Sequence, residues 1–334
     1  MNGKNGKKKR KRRNIKPEKQ EGKGEVVMQK LYAAPLEGVT TYIWRDAHRK
    51  IFGGADKYYT PFLSPNGNLQ FQTKELREVT RGETDLVPQL LTNRAEYFIW
   101  GAEELQKMGY REVNLNLGCP SGTVVAKHKG SGLLADLNYL DEMLDEIFDA
   151  LPDLQISVKT RIGRYETGEW ERLLEIFNRY PIAELTVHPR VQKEFYEGTA
   201  HRDIFLWTKA HADLPLVYNG DVTAPDDTAL GYGCAVMIGR GLAKRPALLR
   251  EIRGGEAATR EELAAFHDAV FDGYERLLDG ALPAIYRMRE FWNYLACPFM
   301  GTEPYIKQIR KVKTLAEYQA AAQGILQGCE LIAE

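Results

Sequence analysis

The sequence contains few cysteines, and their spacing is not that of a metal site or a disulfide framework. The four cysteines, Cys119, Cys234, Cys297 and Cys329, lie far apart and include no C-x-x-C pair. Zinc ribbons and disulfide scaffolds need closely spaced cysteines, so both are disfavoured and no metal is expected. A reducing compartment fits this composition, and we expect a cytoplasmic protein.

Long apolar segments are also missing. No segment approaches the length of a membrane span, and no apolar stretch of sufficient length follows the basic N-terminus to make a signal peptide. The 334 residues are 43% hydrophobic, which is enough for one large core and a small second domain. We therefore expect a soluble protein without membrane contact, with a monomer as the default state.

The formal net charge is zero, but the charges are unevenly distributed. Residues 1–25 contain eleven of the 46 basic and three of the 46 acidic residues, a net of +8, which leaves −8 for the rest. Within this segment, the stretch "GKNGKKKRKRRN" has no apolar residues to bury, and residues 1–25 are predicted to be a disordered polybasic tail. Such a tail is either solvated without a specific role or contacts the phosphate backbone of a nucleic acid.

Strand-like and helix-like segments alternate from residue 27 onward. The eight strand-like segments are "KLYAAP", "DKYYTPF", "DLVPQL", "VNLNLG", "ISVKTR", "ELTVHP", "PLVYNG" and "AVMIGR". The intervening helices include residues 94–108, 139–150, 169–180 and 224–231. Eight strand–helix units in about 220 residues predict a closed TIM (β/α)8 barrel of the α/β class. A Rossmann fold is disfavoured, because no G-x-G-x-x-G follows the first strand.

The strand signals stop near residue 254, and the remainder is rich in Ala, Leu, Glu and aromatic residues. This change of pattern predicts an all-helical C-terminal domain, with the boundary at "RGGEAATREE". The expected domains are therefore the tail of residues 1–25, a barrel of residues 26–252 and a helical domain of residues 253–334.

Polar residues cluster where the strand-like segments end. In a TIM barrel the active site lies at this face, because the βα loops vary there while the strands hold them in place. The residues concerned are Pro35, Glu37, Gln89, Asn116, Cys119, Lys159, Arg161, His188, Arg190, Asn219, Asp221, Gly239 and Arg240. Each of them alone is more often a rim residue than a ligand, but their joint placement indicates a site.

The last two loops indicate the class of ligand. "YNGDV" and "IGRG" supply backbone amides and Arg240, which suit a phosphate. Lys159 would project into the mouth of the barrel, where a cation stabilises the N1/O2 edge of a reduced flavin. Gln89 and Asn219 could hydrogen-bond a pyrimidine-like ring. This set fits flavin mononucleotide (FMN) better than a dinucleotide.

Seven segments in this order and at this spacing resemble the tRNA-dihydrouridine synthases. They are "APLEGVT", "NLNLGCPS", "GSGLL", "VKTRIG", "TVHPR", "NGDV" and "VMIGRG". The resemblance extends over residues 31–245 and, more weakly, through "RMREFWNYL". It implies an FMN-bearing barrel, a helical tRNA-binding domain and NADPH-dependent reduction of the C5=C6 bond of specific uridines in the D-arm of tRNA.

The resemblance also implies roles for individual residues. The FMN contacts would be Pro35, Leu36, Glu37, Gln89, Lys159, His188, Asn219, Gly220, Asp221, Gly239 and Arg240. Cys119 matches the catalytic cysteine, and Asn116 and Arg161 are candidates for binding the flipped uracil. Two positions depart from the family: "PQLLTN" lacks the glycine that often follows the glutamine, and Leu36 stands where Met is common. The polybasic tail is not part of the family pattern.

Cys119 has a chemical role that its surroundings in the sequence support. Hydride addition to C6 of uracil leaves negative charge that a proton at C5 resolves. A thiol has an ordinary pKa of about 8.5, so it is mostly protonated at neutral pH and can supply that proton. No histidine adjacent in sequence suggests an activated thiolate. Cys234 and Cys297, by contrast, are predicted to be small buried apolar residues.

A paired base cannot reach the floor of a barrel, so the uridine must be flipped out of its stack. The remaining RNA contacts are expected on the helical domain. The candidates are Lys307, Arg310, Lys311 and Lys313 in "YIKQIRKVK", the aromatic residues Trp292, Tyr294 and Tyr305, and Arg287 and Arg289. A solvated basic face and aromatic core residues are the simpler interpretation of the same pattern.

Three functions remain open at this point. The first is a tRNA-dihydrouridine synthase, and the second is a flavin oxidoreductase of a free pyrimidine or similar small molecule. The third is a tRNA-binding protein without activity. The helical extension and the basic tail argue against the second, and the intact Cys119 with its flavin set argues against the third.

Overall fold

The computed structural model describes residues 29–332, so the predicted tail of residues 1–25 lies outside the described residues. Nine short parallel strands form one sheet. They are β1 (Leu31–Ala33), β2 (Lys57–Tyr59), β3 (Leu86–Val87), β4 (Gln89–Leu90), β5 (Glu112–Leu117), β6 (Gln155–Arg161), β7 (Leu185–His188), β8 (Leu216–Tyr218) and β9 (Ala235–Ile238). The predicted strands are confirmed.

The sheet closes into a barrel through Pro88. The hydrogen-bonded order begins at β3 and ends at β4, and these two strands are separated only by this proline. Because proline has no N–H, the ladder is interrupted there although the chain continues as one strand. The carbonyl oxygen of Pro88 still accepts from the N–H of Asn114, 2.8 Å away. If β3 and β4 are counted as one strand interrupted at Pro88, the sheet is a closed barrel of eight strands, as predicted.

Helices surround the barrel and connect its strands. They are α1 (Tyr42–Ile51), α2 (Thr73–Leu76), α3 (Ala95–Lys107), α4 (Gly122–Val125), α5 (Leu137–Ala150), α6 (Trp170–Phe177), α7 (Arg202–His211), α8 (Arg240–Lys244) and α9 (Leu248–Ile252). The predicted helix over residues 224–231 is wrong. After Pro225 the chain forms only a short 3-10 turn, Thr228–Tyr232, begun by Asp227, whose carboxylate accepts from the N–H of Ala229 at 2.8 Å.

Successive side chains of each strand point to opposite faces of the sheet, and the apolar ones form two separate cores. The apolar residues between strands and helices, such as Val113, Leu115 and Leu117, belong to the larger core. A smaller core fills the barrel itself with Tyr32, Ala34, Tyr59, Val87, Val217 and Met237. Because successive side chains of a strand point to opposite faces, the polar residues between the outward-facing ones on β5 and β6 point into the barrel.

The C-terminal region is helical, as predicted. It contains α10 (Arg260–Leu278), α11 (Ala281–Leu295), α12 (Glu303–Ile309), α13 (Leu315–Gln323) and a short π-helix, Gly324–Gly328. Phe266 of α10 meets Trp44 and Phe52 edge to face, with ring centroids 5.8 and 5.3 Å apart. The large apolar core therefore runs from the barrel into the helical region. Among the helices of residues 29–332, none has the length and apolar character that crossing a membrane requires.

Candidate active site

A cavity of about 620 Å³ lies at the carboxyl ends of the strands. Most of the site residues predicted from the sequence line it: Pro35, Leu36, Glu37, Gln89, Asn116, Cys119, Lys159, Arg161, His188, Asn219, Gly220, Asp221, Gly239 and Arg240. Arg190 does not line the cavity; it is buried behind it, where it binds the carboxylate of Asp221. Its volume is in the range of small-molecule sites. Residues as far apart in the sequence as Pro35 and Arg240 thus meet in one pocket.

A line of hydrogen bonds crosses the floor of this cavity; we call it the amide chain, and it consists of Ser157, Asn114, Gln89 and Asn116. Asn114 Nδ2 donates to Ser157 Oγ at 2.9 Å, and Gln89 Nε2 donates to Asn114 Oδ1 at 2.8 Å. Asn116 Nδ2 donates to Gln89 Oε1 at 2.7 Å. The alternation of β5 and β6 places these polar groups inside the barrel, where each one needs a partner.

The amide chain ends on the loop that carries Cys119. Asn116 Oδ1 accepts from the backbone N–H of Gly118 at 3.0 Å and of Cys119 at 2.9 Å. Asn116 therefore retains one free N–H for a ligand. Its other three hydrogen-bonding positions fix the loop and Gln89.

Cys119 is half-buried at the edge of the cavity. Its carbonyl oxygen accepts from the hydroxyl of Ser131 at 2.8 Å, which ties the loop to the next segment. Gly130 has φ = +56°, and a Cβ there would lie 2.9 Å from the same oxygen, so this close approach requires glycine. Burial raises the pKa of the Cys119 thiol, although the Ser121 N–H and the nearby Arg161 and Lys159 oppose this effect. The thiol is therefore protonated at neutral pH.

Arg161 is fully buried and clamps two loops together. Its Nε donates to the carbonyl oxygen of Gly118 at 3.1 Å, and Nη1 donates to that of Val191 at 2.8 Å. Nη2 donates to the carbonyl oxygen of Phe195 at 2.5 Å. Phe195 has φ = +48°, a backbone conformation that is unusual for a residue other than glycine. These hydrogen bonds hold this loop against the cysteine loop, and the remaining N–H groups of Arg161 lie beside Tyr196 at the cavity.

Lys159 lies in the wall of the cavity without a carboxylate partner among residues 29–332. Burial, reinforced by the charge of Arg161, lowers its pKa to about 7. The same cations and burial hold the pKa of His188 well below its ordinary value of 6.5. A bound anion would offset this repulsion, so the cavity is electrostatically suited to a ligand with negative charge.

Arg240 is held at the mouth of the cavity by Asp221. Arg240 Nη2 donates to Asp221 Oδ1 at 2.6 Å, and the other carboxylate oxygen accepts from Arg190. The pKa of Asp221 is lowered because the two hydrogen-bonded guanidinium groups outweigh its burial. The Asp221 carboxylate is thus occupied by arginines, and what it offers an anionic ligand directly is its backbone N–H.

Two glycines of the last two loops are required because other protein atoms lie against their backbone. A Cβ at Gly220 would collide with the hydroxyl of Tyr218, and one at Gly241 would collide with the carbonyl oxygen of Val222. Gly239 has more space, with Ala34 Cβ 3.4 Å from the ideal Cβ position. Backbone amides, glycines and Arg240 on one rim fit a phosphate, and the amide chain and Lys159 below fit a polar ring system. The residues present therefore fit FMN.

Several cavity residues were not predicted from the sequence. Tyr196 lies between two guanidinium groups, 4.5 Å from Arg240 and 5.3 Å from Arg161 as measured from the ring centroid. Glu290 and Tyr294 reach the cavity from α11, although Tyr294 was predicted only as an RNA contact of the helical domain or as a core residue. The aromatic pair Phe195 and Tyr196 in "KEFYEG" is the signal in the sequence that could have indicated Tyr196. Nothing in the sequence indicated that α11 would contribute to the wall.

The basic candidates of the helical region are exposed: Lys307, Arg310, Lys311, Lys313 and Arg287. Trp292 is fully buried, where its indole N–H donates to the hydroxyl of Tyr318 at 3.0 Å, so the core interpretation is correct for this residue. Of the cysteines predicted to be buried and apolar, Cys234 is partly buried, but Cys297 is exposed at the end of α11. Within residues 29–332 no group of three or more His, Cys, Asp or Glu residues could hold a metal ion.

Comparison with known proteins gives a consistent result. The model of the dihydrouridine synthase family matches residues 32–324. A probable tRNA-dihydrouridine synthase from Staphylococcus aureus is 29% identical over 311 residues, which cover 86% of this chain and 90% of that protein. A probable tRNA-dihydrouridine synthase from Staphylococcus epidermidis is 29% identical over 309 residues, 85% of this chain and 90% of that protein. A tRNA-dihydrouridine(16) synthase from Cupriavidus necator is 30% identical over 240 residues, 68% of this chain and 74% of that protein.

Proposed function

This chain belongs to the dihydrouridine synthase family, and from that premise we propose that it reduces the C5=C6 bond of specific uridines in the D-arm of tRNA. We further propose FMN as its bound cofactor, NADPH as the reductant and Cys119 as the proton donor. The observation that carries this proposal is the convergence in one cavity of the Cys119 thiol, the amide chain and two basic side chains, Lys159 and Arg161, for which residues 29–332 provide no carboxylate partner.

The residues around the cavity divide into three groups of proposed contacts. Those at the ends of β8 and β9 would hold the FMN phosphate and ribityl chain: Asn219, Gly220, Asp221, Gly239 and Arg240. Those at the floor and one wall would contact the ring: Pro35, Leu36, Glu37, Gln89, Lys159 and His188. Asn116 and Arg161 would bind uracil through their remaining N–H groups.

When bound and reduced, FMN supplies the hydride that adds to C6 of the uracil. The chain's own residues then have two tasks. Lys159 and Arg161 place positive charge beside the cavity, which favours a substrate that gains negative charge. The Cys119 thiol transfers its proton to C5 and becomes a thiolate, which these same cations stabilise and which must be reprotonated from solvent.

The tRNA would lie across the mouth of the cavity with its target nucleotide flipped inward. The exposed basic residues of the helical region, Lys307, Arg310, Lys311 and Lys313, would contact phosphates, as would Arg287. This surface supports RNA as the substrate over a free pyrimidine, because a small molecule would not need it.

The test is a reaction of the purified protein with FMN and NADPH on tRNA lacking dihydrouridine, with free uridine as the parallel substrate. We expect dihydrouridine in the tRNA and no reduction of free uridine. Reduction of free uridine at a comparable rate would favour an oxidoreductase of small molecules. Absence of flavin binding, or no dihydrouridine in tRNA despite bound flavin, would contradict the proposal.

A further inference from the structure

The amide chain has a direction, and only one of its ends determines it. Backbone N–H groups can only donate, so the amides of Gly118 and Cys119 require the oxygen of Asn116. The NH₂ group of Asn116 must then point toward Gln89, which presents its oxygen to it and its own NH₂ to Asn114. The hydroxyl of Ser157 at the far end can donate or accept, so it imposes no direction.

We propose that Asn116 is a positioning residue that, oriented by the amides of the cysteine loop, determines which end of the Gln89 amide is available to FMN. This inference rests on the proposed function, in which Gln89 contacts the flavin ring. Gln89 and Asn116 both line the cavity, whereas Asn114 is fully buried beneath them. The loop that carries the proton donor and the hydrogen bond to the flavin are therefore set by the same amide chain.

Replacing Asn116 by Asp reverses the chain without breaking it. The ionised carboxyl, which the neighbouring Lys159 favours, can accept from the loop amides through one oxygen, but its other oxygen can only accept as well. Gln89 must therefore rotate its amide to donate to Asp, and Asn114 must rotate in turn to donate to Gln89. The Ser157 hydroxyl then donates to Asn114. Every hydrogen bond is restored in the opposite sense, so the fold should survive.

Asn114→Asp is the matched control. The carboxylate accepts from Gln89 just as the oxygen of Asn114 does, and the Ser157 hydroxyl rotates to donate to it. The orientation of Gln89 is unchanged. Both variants exchange the same atoms on the same strand, two residues apart, and in Asn114→Asp the orientation of Gln89 is the same whether the new carboxyl is ionised or neutral. They differ in whether the amide of Gln89 must rotate.

The experiment measures the FMN dissociation constant and the visible absorption spectrum of bound FMN for the wild type and both variants. We expect Asn116→Asp to bind FMN roughly tenfold more weakly than Asn114→Asp, about 1.4 kcal/mol, with a shifted spectrum. The reason is that rotation of the Gln89 amide exchanges its oxygen and its NH₂ group. A flavin acceptor then faces an oxygen, or a flavin donor faces an NH₂ group, and the hydrogen bond is lost. Repeating the titration at high salt separates this effect from repulsion of the FMN phosphate, which salt would screen.

Equal dissociation constants and spectra for the two variants would overturn the proposal, as would a difference that disappears at high salt. If Asn116→Asp fails to fold, Gln89→Glu serves instead. It keeps the hydrogen bond from Asn116 and replaces the NH₂ group of Gln89 by oxygen, so FMN binding should again weaken roughly tenfold. Unchanged FMN binding by Gln89→Glu would overturn the proposal.

The wild type separates this inference from the proposed function. If the wild type takes up no FMN on titration, the proposed function fails and this inference fails with it. If the wild type binds FMN and the two Asp variants are alike, only the positioning role of Asn116 fails.

Discussion

Arg190 Nη1 lies 3.1 Å from His188 Nε2, and both side chains are buried. A guanidinium can only donate, so Nε2 of His188 is an acceptor and the ring proton resides on Nδ1. Burial and the surrounding cations lower the pKa of His188 well below 6.5, which is consistent with this neutral ring. His188 therefore contributes a neutral ring with one N–H group to the cavity wall and is not an imidazolium that could donate a proton near neutral pH.

The first prediction is that His188 does not determine the pH dependence of tRNA reduction. His188→Asn should lower the rate through lost contacts but leave the shape of the pH–rate profile unchanged between about pH 5.5 and 7.5. Single-turnover rates of the wild type and the variant across this range provide the measurement. A step near the ordinary pKa of histidine that disappears in the variant would contradict the neutral assignment.

The second prediction concerns acid stability and His48. This ring is fully buried between the hydroxyl of Tyr58 and the carbonyl oxygen of Pro246, each 2.8 Å away, and burial lowers its pKa to about 4. The unfolded chain gains a proton below pH 6.5 while the folded chain stays neutral, so stability is lost as the pH falls toward 4. This group alone should cost about 2 kcal/mol between pH 7.5 and 5.

His48→Gln is the control, since glutamine is neutral at every pH. The variant should be less stable at pH 7.5 but lose about 2 kcal/mol less than the wild type on going to pH 5. Urea denaturation at both pH values measures the two differences. Equal losses in the two proteins would mean that His48 does not carry this pH dependence.

The third prediction concerns Arg240 and the phosphate of FMN. Arg240→Ala should weaken FMN binding roughly 10- to 100-fold, because a charge-assisted hydrogen bond to the phosphate is lost. Titration with riboflavin, which lacks the phosphate, should show a much smaller effect. Arg179→Ala is the matched control, since Arg179 forms an exposed ion pair with Asp141 at 2.7 Å away from the cavity lining. Equal loss of riboflavin binding would place Arg240 at another part of the cofactor.

Much of the barrel could be predicted because the alternation of apolar and polar residues along a strand involves only residues that are neighbours in the sequence. Val113, Leu115 and Leu117 face the helices, which forces Asn114 and Asn116 into the barrel. The position of Cys119 after the strand then follows from the general rule that barrel chemistry lies at the carboxyl ends of strands. These inferences need only neighbouring residues and one rule of topology.

The contacts that join distant elements could not be predicted in the same way. Asp221 was predicted as one of the FMN contacts, but the sequence did not indicate that its carboxylate binds Arg190 and Arg240. Glu290 enters the cavity only because α11 packs beside the barrel. Such pairings depend on the three-dimensional approach of loops and helices, for which a single sequence contains no periodic signal.

The fourth prediction tests the polybasic segment of residues 1–25, which lies outside the described residues. Deleting it should leave FMN occupancy intact and weaken tRNA binding at low salt, because its contacts with phosphates would release counterions. The difference should shrink as the salt concentration rises. The tRNA affinity of the full chain and of the deletion variant, measured over a series of salt concentrations, gives the salt dependence of each. Equal affinities of the two proteins at low ionic strength would contradict any RNA role for the segment.

The last prediction separates the two half-reactions through Cys119. Cys119→Ala should slow tRNA reduction roughly 100-fold or more, because the proton donor is lost, while FMN and tRNA binding remain nearly unchanged. Reduction of FMN by NADPH needs no proton on uracil and should proceed at nearly the normal rate. Cys119→Ser should be equally poor or intermediate, since a hydroxyl fills similar space but is a far weaker acid. Stopped-flow measurement of both half-reactions decides the matter: equal impairment would make the thiol structural, and no impairment would assign the proton to another group such as Lys159.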